Sequence, residues 1–231
     1  MTECFPQSNL VLFDLDDTLC DYATARAHRL AYAFRLAADI DGVELPDDLQ
    51  PLIAESIARH PHGAEHFGEL LLPFGVGPEG VAVGKQWFVT HRFYMLELFA
   101  DAIATIESVR AARANRKIGV VTNGPTDVQR QKIELLNLQP HVDFFVISDE
   151  FGYWKPDREI FDEALRLGSA TPGESVFIGD SAEHDIAGAQ AAGIPAIWIN
   201  RNGAAWHLEP PAPTCIAKNL ADVRRFLGIG E

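Results

Sequence analysis

Along most of this chain, apolar runs too short to be helices alternate with stretches of helical periodicity, and several of the runs stop abruptly at a polar residue. Leu10-Val11-Leu12-Phe13 ends at Asp14, and Ile118-Gly119-Val120-Val121 ends at Thr122. Ser175 to Ile178 leads into Gly179-Asp180, while Phe144 to Ile147 and Ala196 to Ile199 are runs of the same kind. Continuous short apolar runs are the mark of strands buried on both faces. Between them the spacing predicts helices: a stripe at Ile103, Ile106 and Val109; Asp127 to Leu138, with Val128, Ile133 and Leu136; and a helix opened by Pro156-Asp157 that carries Ile160, Phe161, Ala164 and Leu165. Ala182 to Ala192 and a closing helix with Leu220, Val223 and Leu227 complete the series. Strand and helix in alternation give a parallel sheet with helices on both faces, so the expected fold class is α/β, in three layers.

One stretch breaks the pattern. From about Tyr22 to Phe99 no convincing strand appears, but helical segments do, over Ala23 to Ala38, Pro46 to Ala58 and Glu79 to Leu98, with a Gly- and Pro-containing loop between the last two. Such a length is far beyond an ordinary strand-to-helix connection. The expected organisation is a core of residues 1–21 and 100–231 with a helical insert at 22–99. The insert is expected to pack as a small layer over the carboxyl edge of the sheet and to exclude water from it.

Charge narrows the ligand. With 19 Lys and Arg against 33 Asp and Glu, the formal net charge is −14, and no basic track is present, which argues against nucleic acid as a partner. The first apolar run meets acid after four residues, so no signal peptide or membrane span is expected there. Cys4, Cys20 and Cys215 have no metal-ligand spacing, and their odd number fits reduced thiols and a cytoplasmic location.

In an open parallel sheet, ligands bind beyond the carboxyl ends of the strands. That is where Asp14-Leu15-Asp16-Asp17-Thr18, Thr122-Asn123-Gly124 and Gly179-Asp180-Ser181 fall, joined by Lys155-Pro156 and by Asp185. Asp14 and Asp16 are spaced to face one side, so one can attack phosphorus and the other can handle a proton. Carboxylates beside an anionic phosphoryl group repel it unless a cation intervenes, and a hard, oxygen-liganded Mg²⁺ fits. Asp180 suits direct metal ligation and Asp185 an orienting or water-mediated role. The Thr122 hydroxyl and the N–H groups after it can hold phosphate oxygens, and Lys155 can neutralise charge on the nucleophile and the phosphoryl group. Ser181 reads equally well as part of this site or as a helix N-cap.

As an ordered set, Phe13-Asp14-Leu15-Asp16-Asp17-Thr18-Leu19, Val121-Thr122-Asn123-Gly124, Gly152-Tyr153-Trp154-Lys155-Pro156-Asp157 and Gly179-Asp180-Ser181 through Asp185 resemble the motifs of the haloacid dehalogenase-like hydrolase superfamily. The resemblance implies a Rossmann-like core with a helical cap inserted after the first motif. It implies Asp14 as nucleophile, Asp16 as acid/base, Mg²⁺ held by Asp14, the Asp16 carbonyl and Asp180, and Asp185 supporting the metal. Thr122, Asn123 and Lys155 would bind phosphate. The second aspartate, Asp16, is absent from the true 2-haloacid dehalogenases of the superfamily, which need no metal. The motif wording looks most like the branch with pyrimidine nucleotidase and acylneuraminate phosphatase members. His184 stands where an asparagine is frequent.

The expected activity is Mg²⁺-dependent hydrolysis of a small phosphomonoester through an aspartyl phosphate on Asp14. The rivals are a phosphomutase of the phosphoglucomutase type and a regulatory binding protein without catalysis. Substrate choice is expected to lie in the insert and in the loops facing the site, with Arg29, Arg59, His60, His62, Trp87 and Tyr94 among the candidates. The expected partner is the small phosphate ester itself, with no nucleic acid and no membrane.

Overall fold

A computed structural model describes residues 5, 7–60, 62–209 and 212–229. In chain order, β1 (Leu10–Phe13) is followed by helices α1 (Tyr22–Ile40), α2 (Gln50–Arg59), α3 (Phe67–Leu71), α4 (Pro78–Thr90) and α5 (Ala102–Ala111). Then come β2 (Lys117–Thr122), α6 (Thr126–Leu135), β3 (Phe144–Ile147), α7 (Ser148–Phe151), α8 (Arg158–Gly168) and β4 (Ser175–Gly179). A π-helical segment, Ala182–Ala187, runs into α9 (Gly188–Ala191), and β5 (Ala196–Ile199), β6 (Cys215–Ala217) and α10 (Leu220–Phe226) close the described chain. The chain divides into two compact units, Met1–Asp21 with Leu98–Glu231, and Tyr22–Glu97.

In the first unit the six strands are hydrogen-bonded in the order β3-β2-β1-β4-β5-β6, and each neighbouring pair is parallel. The sequence runs outward from β1 through β2 to β3, then returns to β4 on the other side of β1. The order therefore reverses between β1 and β4, and a crevice opens at the carboxyl ends of strands on either side of such a reversal. Apolar side chains from strands and helices, among them Leu10, Leu12, Val121, Phe161, Phe177, Ile186 and Trp198, form the core. The rings of Phe161 and Phe177 meet edge to face with centroids 5.3 Å apart. This Rossmann-like sheet with its inserted helical cap is the expected fold class.

The second unit is wholly helical among its described residues. Phe67 sits between Phe34 and Phe88, with centroid separations of 4.8 and 5.3 Å. Helices α1 and α4 approach closely because Gly80 has no side chain: a Cβ there would lie 2.1 Å from the Ala37 carbonyl oxygen. Arg29, a candidate ligand contact by sequence, is instead buried, with its guanidinium 3.9 Å from the Phe88 ring centroid and bonded to the Arg92 carbonyl. Arg59 is paired with Glu55 and Glu69. The first unit closes on itself where this insert leaves it: the Phe99 N–H donates to the Leu19 carbonyl at 3.0 Å, and Cys20 and Leu98 form an antiparallel bridge.

Several elements depart from the periodicity reading. Helix α3 lies inside the expected loop, and α4 ends at Thr90 because a turn takes over before Leu98. Strand β6 was not expected: it is three residues at the sheet edge, with Ile216 half exposed, and so short a run leaves no pattern. Cys20 is a buried free thiol, whereas Cys215 is disulfide-bonded, so the expectation of reduced thiols does not hold for Cys215. Cys4 lies outside the described residues. Among the described residues no helix is long and apolar enough to cross a membrane.

Candidate active site

The two strands that flank the reversal of order deliver its carboxylates. Asp14 follows β1 directly, and its N–H continues the ladder to the Ile178 carbonyl of β4 at 2.9 Å. Asp180 follows β4, and its carbonyl accepts the Trp198 indole N–H from β5 at 2.7 Å. Asp185 lies in the π-helical segment, and carboxylate oxygens of Asp14, Asp180 and Asp185 all come within 4.8 Å of one another. Gly179 makes this approach possible, since a Cβ there would stand 2.4 Å from Asp185 Cγ.

Lys155 joins the group from the loop between α7 and α8. Its buried Nζ donates to Asp14 Oδ1 at 2.5 Å and to Asp185 Oδ1 at 2.6 Å. The other Asp185 oxygen accepts the Ser181 N–H at 2.9 Å, so that carboxylate is held at both ends. Ser181 Oγ accepts the His184 N–H at 3.2 Å and caps the π-helical segment. The Lys155–Pro156 peptide bond is cis.

Thr122 ends β2 with its side chain buried. The Asn123 side chain is committed to the Lys155 backbone: its Nδ2 donates to the Lys155 carbonyl and its Oδ1 accepts the Lys155 N–H, both at 2.8 Å. This ties the loop after β2 to the loop carrying the lysine. Helix α7, too short to show periodicity, fixes the next turn: Ser148 Oγ accepts the Gly124 N–H at 3.0 Å, and Asp149 accepts the N–H and hydroxyl of Thr126 at 2.9 and 2.8 Å, capping α6.

Asp16 stands apart from the other three carboxylates. Its oxygens are 2.8 and 2.7 Å from the Nζ of Lys132, and Oδ2 also accepts from Gln129 Nε2 at 3.3 Å. Neither partner was singled out from sequence. Arg201, in the loop after β5, is a third missed residue: it donates to the Thr18 carbonyl at 3.1 Å, and its guanidinium lies 3.7 Å from the Phe99 ring centroid.

Burial and like charge dominate the electrostatics. Burial pushes the Asp14 carboxyl up to about 7, with Lys155 opposing the rise and Asp185 adding to it. Burial, then Asp14, Asp185 and Asp17, push Asp180 up to about 9. Burial alone would lower Lys155, but the carboxylates of Asp14 and Asp185 outweigh it and keep the ammonium firmly charged. Three gathered carboxylates against this one ammonium leave two negative charges when all are ionised. The donor set is oxygen only and matches a hard divalent cation. Chemically, the arrangement sets a buried carboxylate against a fixed ammonium, with two further carboxylates that could share a cation with it.

Residues 9–193 match the model of the haloacid dehalogenase-like hydrolases. The chain is 34% identical over 208 residues to the glyceraldehyde 3-phosphate phosphatase of Methanopyrus kandleri, covering 87% of each protein. Among solved structures, a 2-haloacid dehalogenase from Pseudomonas syringae is 29% identical with a TM-score of 0.62, over 96% of this chain and 98% of that one. The hydrolase YfnB from Bacillus subtilis, solved bound to magnesium, shares the fold with a TM-score of 0.71 at 24% identity, over 96% of this chain and 100% of that one.

Proposed function

Because the chain belongs to the haloacid dehalogenase-like hydrolase family, we propose that it hydrolyses a small phosphomonoester through an aspartyl phosphate on Asp14, with Mg²⁺ bound. The observation that carries this reading is the set at the strand reversal: buried Asp14 held by Lys155 at 2.5 Å, with half-buried Asp180 and buried Asp185 beside it. The similarity to a glyceraldehyde 3-phosphate phosphatase supports a small phosphorylated metabolite as the substrate class. The similarity to a 2-haloacid dehalogenase is outweighed by Asp16, a second aspartate that dehalogenation does not require.

In the proposed reaction a carboxylate oxygen of Asp14 attacks phosphorus and the ester P–O bond breaks. Asp16, as general acid, gives its proton to the departing alcohol oxygen. It then takes a proton from the water that attacks the aspartyl phosphate, releasing phosphate and restoring both carboxyls. The ammonium of Lys155 keeps the Asp14 carboxylate oriented and offsets charge on the phosphoryl group. The Thr122 hydroxyl accepts from Gln129 Nε2 at 2.5 Å, which leaves its own proton for a phosphate oxygen. The Asn123 amide is occupied by Lys155, so its contribution to phosphate is the backbone N–H. Asp14, Asp180 and the Asp16 carbonyl would hold Mg²⁺, with Asp185 supporting them. The ion would supply charge neutralisation and polarisation of the phosphoryl group.

The test is phosphate release from a panel of phosphomonoesters with Mg²⁺ or EDTA, by wild type and Asp14→Asn. Release that requires both Mg²⁺ and Asp14 is expected. A folded wild type that releases phosphate from no member overturns the reading in favour of a mutase or a binding protein.

A further inference from the structure

The buried face of α6, continued by Leu136 just after its end, consists of Gln129, Lys132, Ile133 and Leu136, at the spacing of a core-facing stripe. Two of these four positions hold polar residues where an apolar side chain would pack without cost. Gln129 and Lys132 are 1% and 3% exposed. A buried ammonium is costly unless it is well paired. Lys132 is so paired, to both oxygens of Asp16 at 2.7 and 2.8 Å. One turn earlier, Gln129 Nε2 bridges Asp16 Oδ2 at 3.3 Å, the Asn123 carbonyl at 2.9 Å and the Thr122 hydroxyl at 2.5 Å. A single helix face thus holds the carboxylate of Asp16 and the hydroxyl of Thr122 together.

We infer that Lys132 and Gln129 are positioning residues, setting the Asp16 carboxyl and its register with Thr122 for proton transfer at the ester oxygen. This rests on the reading of Asp16 as the acid/base group. An ordinary stability role would be served by leucine or methionine in the same volume. Cys20 Sγ adds a weak bond to Asp16 Oδ1 at 3.5 Å, but the two nitrogen donors aimed from one helix at this partly exposed carboxylate have a directional purpose. Lys132 clamps both oxygens and so fixes rotation of the carboxylate. Gln129 links that orientation to the place where the phosphoryl group would be held. Neither residue touches the ester; both act through Asp16.

The test separates orientation from stability by varying the leaving group. Benzyl phosphate releases a poor alkoxide that needs a proton, whereas p-nitrophenyl phosphate releases a stable phenolate that does not. For both, kcat/KM reports the steps through cleavage of the ester bond. Lys132→Met is expected to lower kcat/KM for benzyl phosphate about 100-fold, the low end of general acid–base contributions, and for p-nitrophenyl phosphate less than about 5-fold. A pre-steady-state burst of p-nitrophenolate should appear, because water activation also passes through Asp16. Lys132→Arg should restore benzyl phosphate to within about 10-fold of wild type. If Lys132→Met does not fold, Lys132→Gln reads the same ratio. Equal losses on the two esters, or no loss on either, would overturn the inference. Asp16→Asn is run in parallel: if it shows no preference between the esters, the acid/base reading of Asp16 itself fails, whatever Lys132 does.

Discussion

Asn123 and Lys155 are joined twice, side-chain amide to backbone, with both hydrogen bonds 2.8 Å long. The pair works as a clasp between the loop after β2 and the loop between α7 and α8. Its removal acts on the lysine without touching the lysine side chain.

Asn123→Leu is therefore expected to destabilise the protein by about 1–3 kcal/mol, the cost of leaving buried backbone groups unpaired. It should also lower kcat, because the ammonium of Lys155 loses its fixed approach to Asp14. Urea unfolding and steady-state rates on one ester check the two effects separately.

Lys155→Met removes an ammonium bonded to both Asp14 and Asp185. Breaking a buried ion pair from one side costs about 3–5 kcal/mol, and this loss should show in urea unfolding without Mg²⁺. Phosphate release should fall to background in the same variant.

Metal and pH should act on stability together. In the folded chain Asp14 and Asp180 are raised to about 7 and about 9, from an ordinary value of 3.8. A carboxyl raised on folding binds its proton more tightly in the native state. Its stabilising contribution is full below the unfolded value and is lost as pH rises through the folded one. In EDTA, Tm should fall between pH 6 and pH 9, and added Mg²⁺ should raise it more at the higher pH. A Tm in EDTA that rises over that interval would contradict the electrostatics of the site.

Gly179→Ala puts a carbon where Asp185 now stands, 2.4 Å from its Cγ. The expected cost is about 1–3 kcal/mol, typical of overpacking, together with a weaker apparent affinity for Mg²⁺. A Mg²⁺ titration of activity, with thermal melts alongside, checks both.

What could be read from the sequence follows from how each residue leaves its trace. Buried parallel strands write continuous apolar runs, so Phe144–Ile147 and Ala196–Ile199 appear with their observed limits. The acidic residues at the ends of β1 and β4 stand out because each interrupts such a run. Edge strand β6 and the four-residue α7 are too short to carry a period, although α7 supplies the Asp149 that caps α6. Lys132 and Gln129 were missed for another reason. Reading α6 by its apolar residues selected Val128, Ile133 and Leu136, whereas the buried stripe is Gln129, Lys132, Ile133 and Leu136. The signal was present as two polar residues in register with Ile133 and Leu136, and it becomes visible once polar side chains are allowed on an inward face.

The hydrogen-bonded contact of Leu19 and Cys20 with Leu98 and Phe99 makes the helical insert interchangeable in principle. The sheet and its polar segments are already closed at that junction, so residues 22–97 hang from a seam that a short turn could span. The insert and the sheet unit can then change on separate schedules. A lineage, or an engineer, can replace one module wholesale while the other is inherited intact.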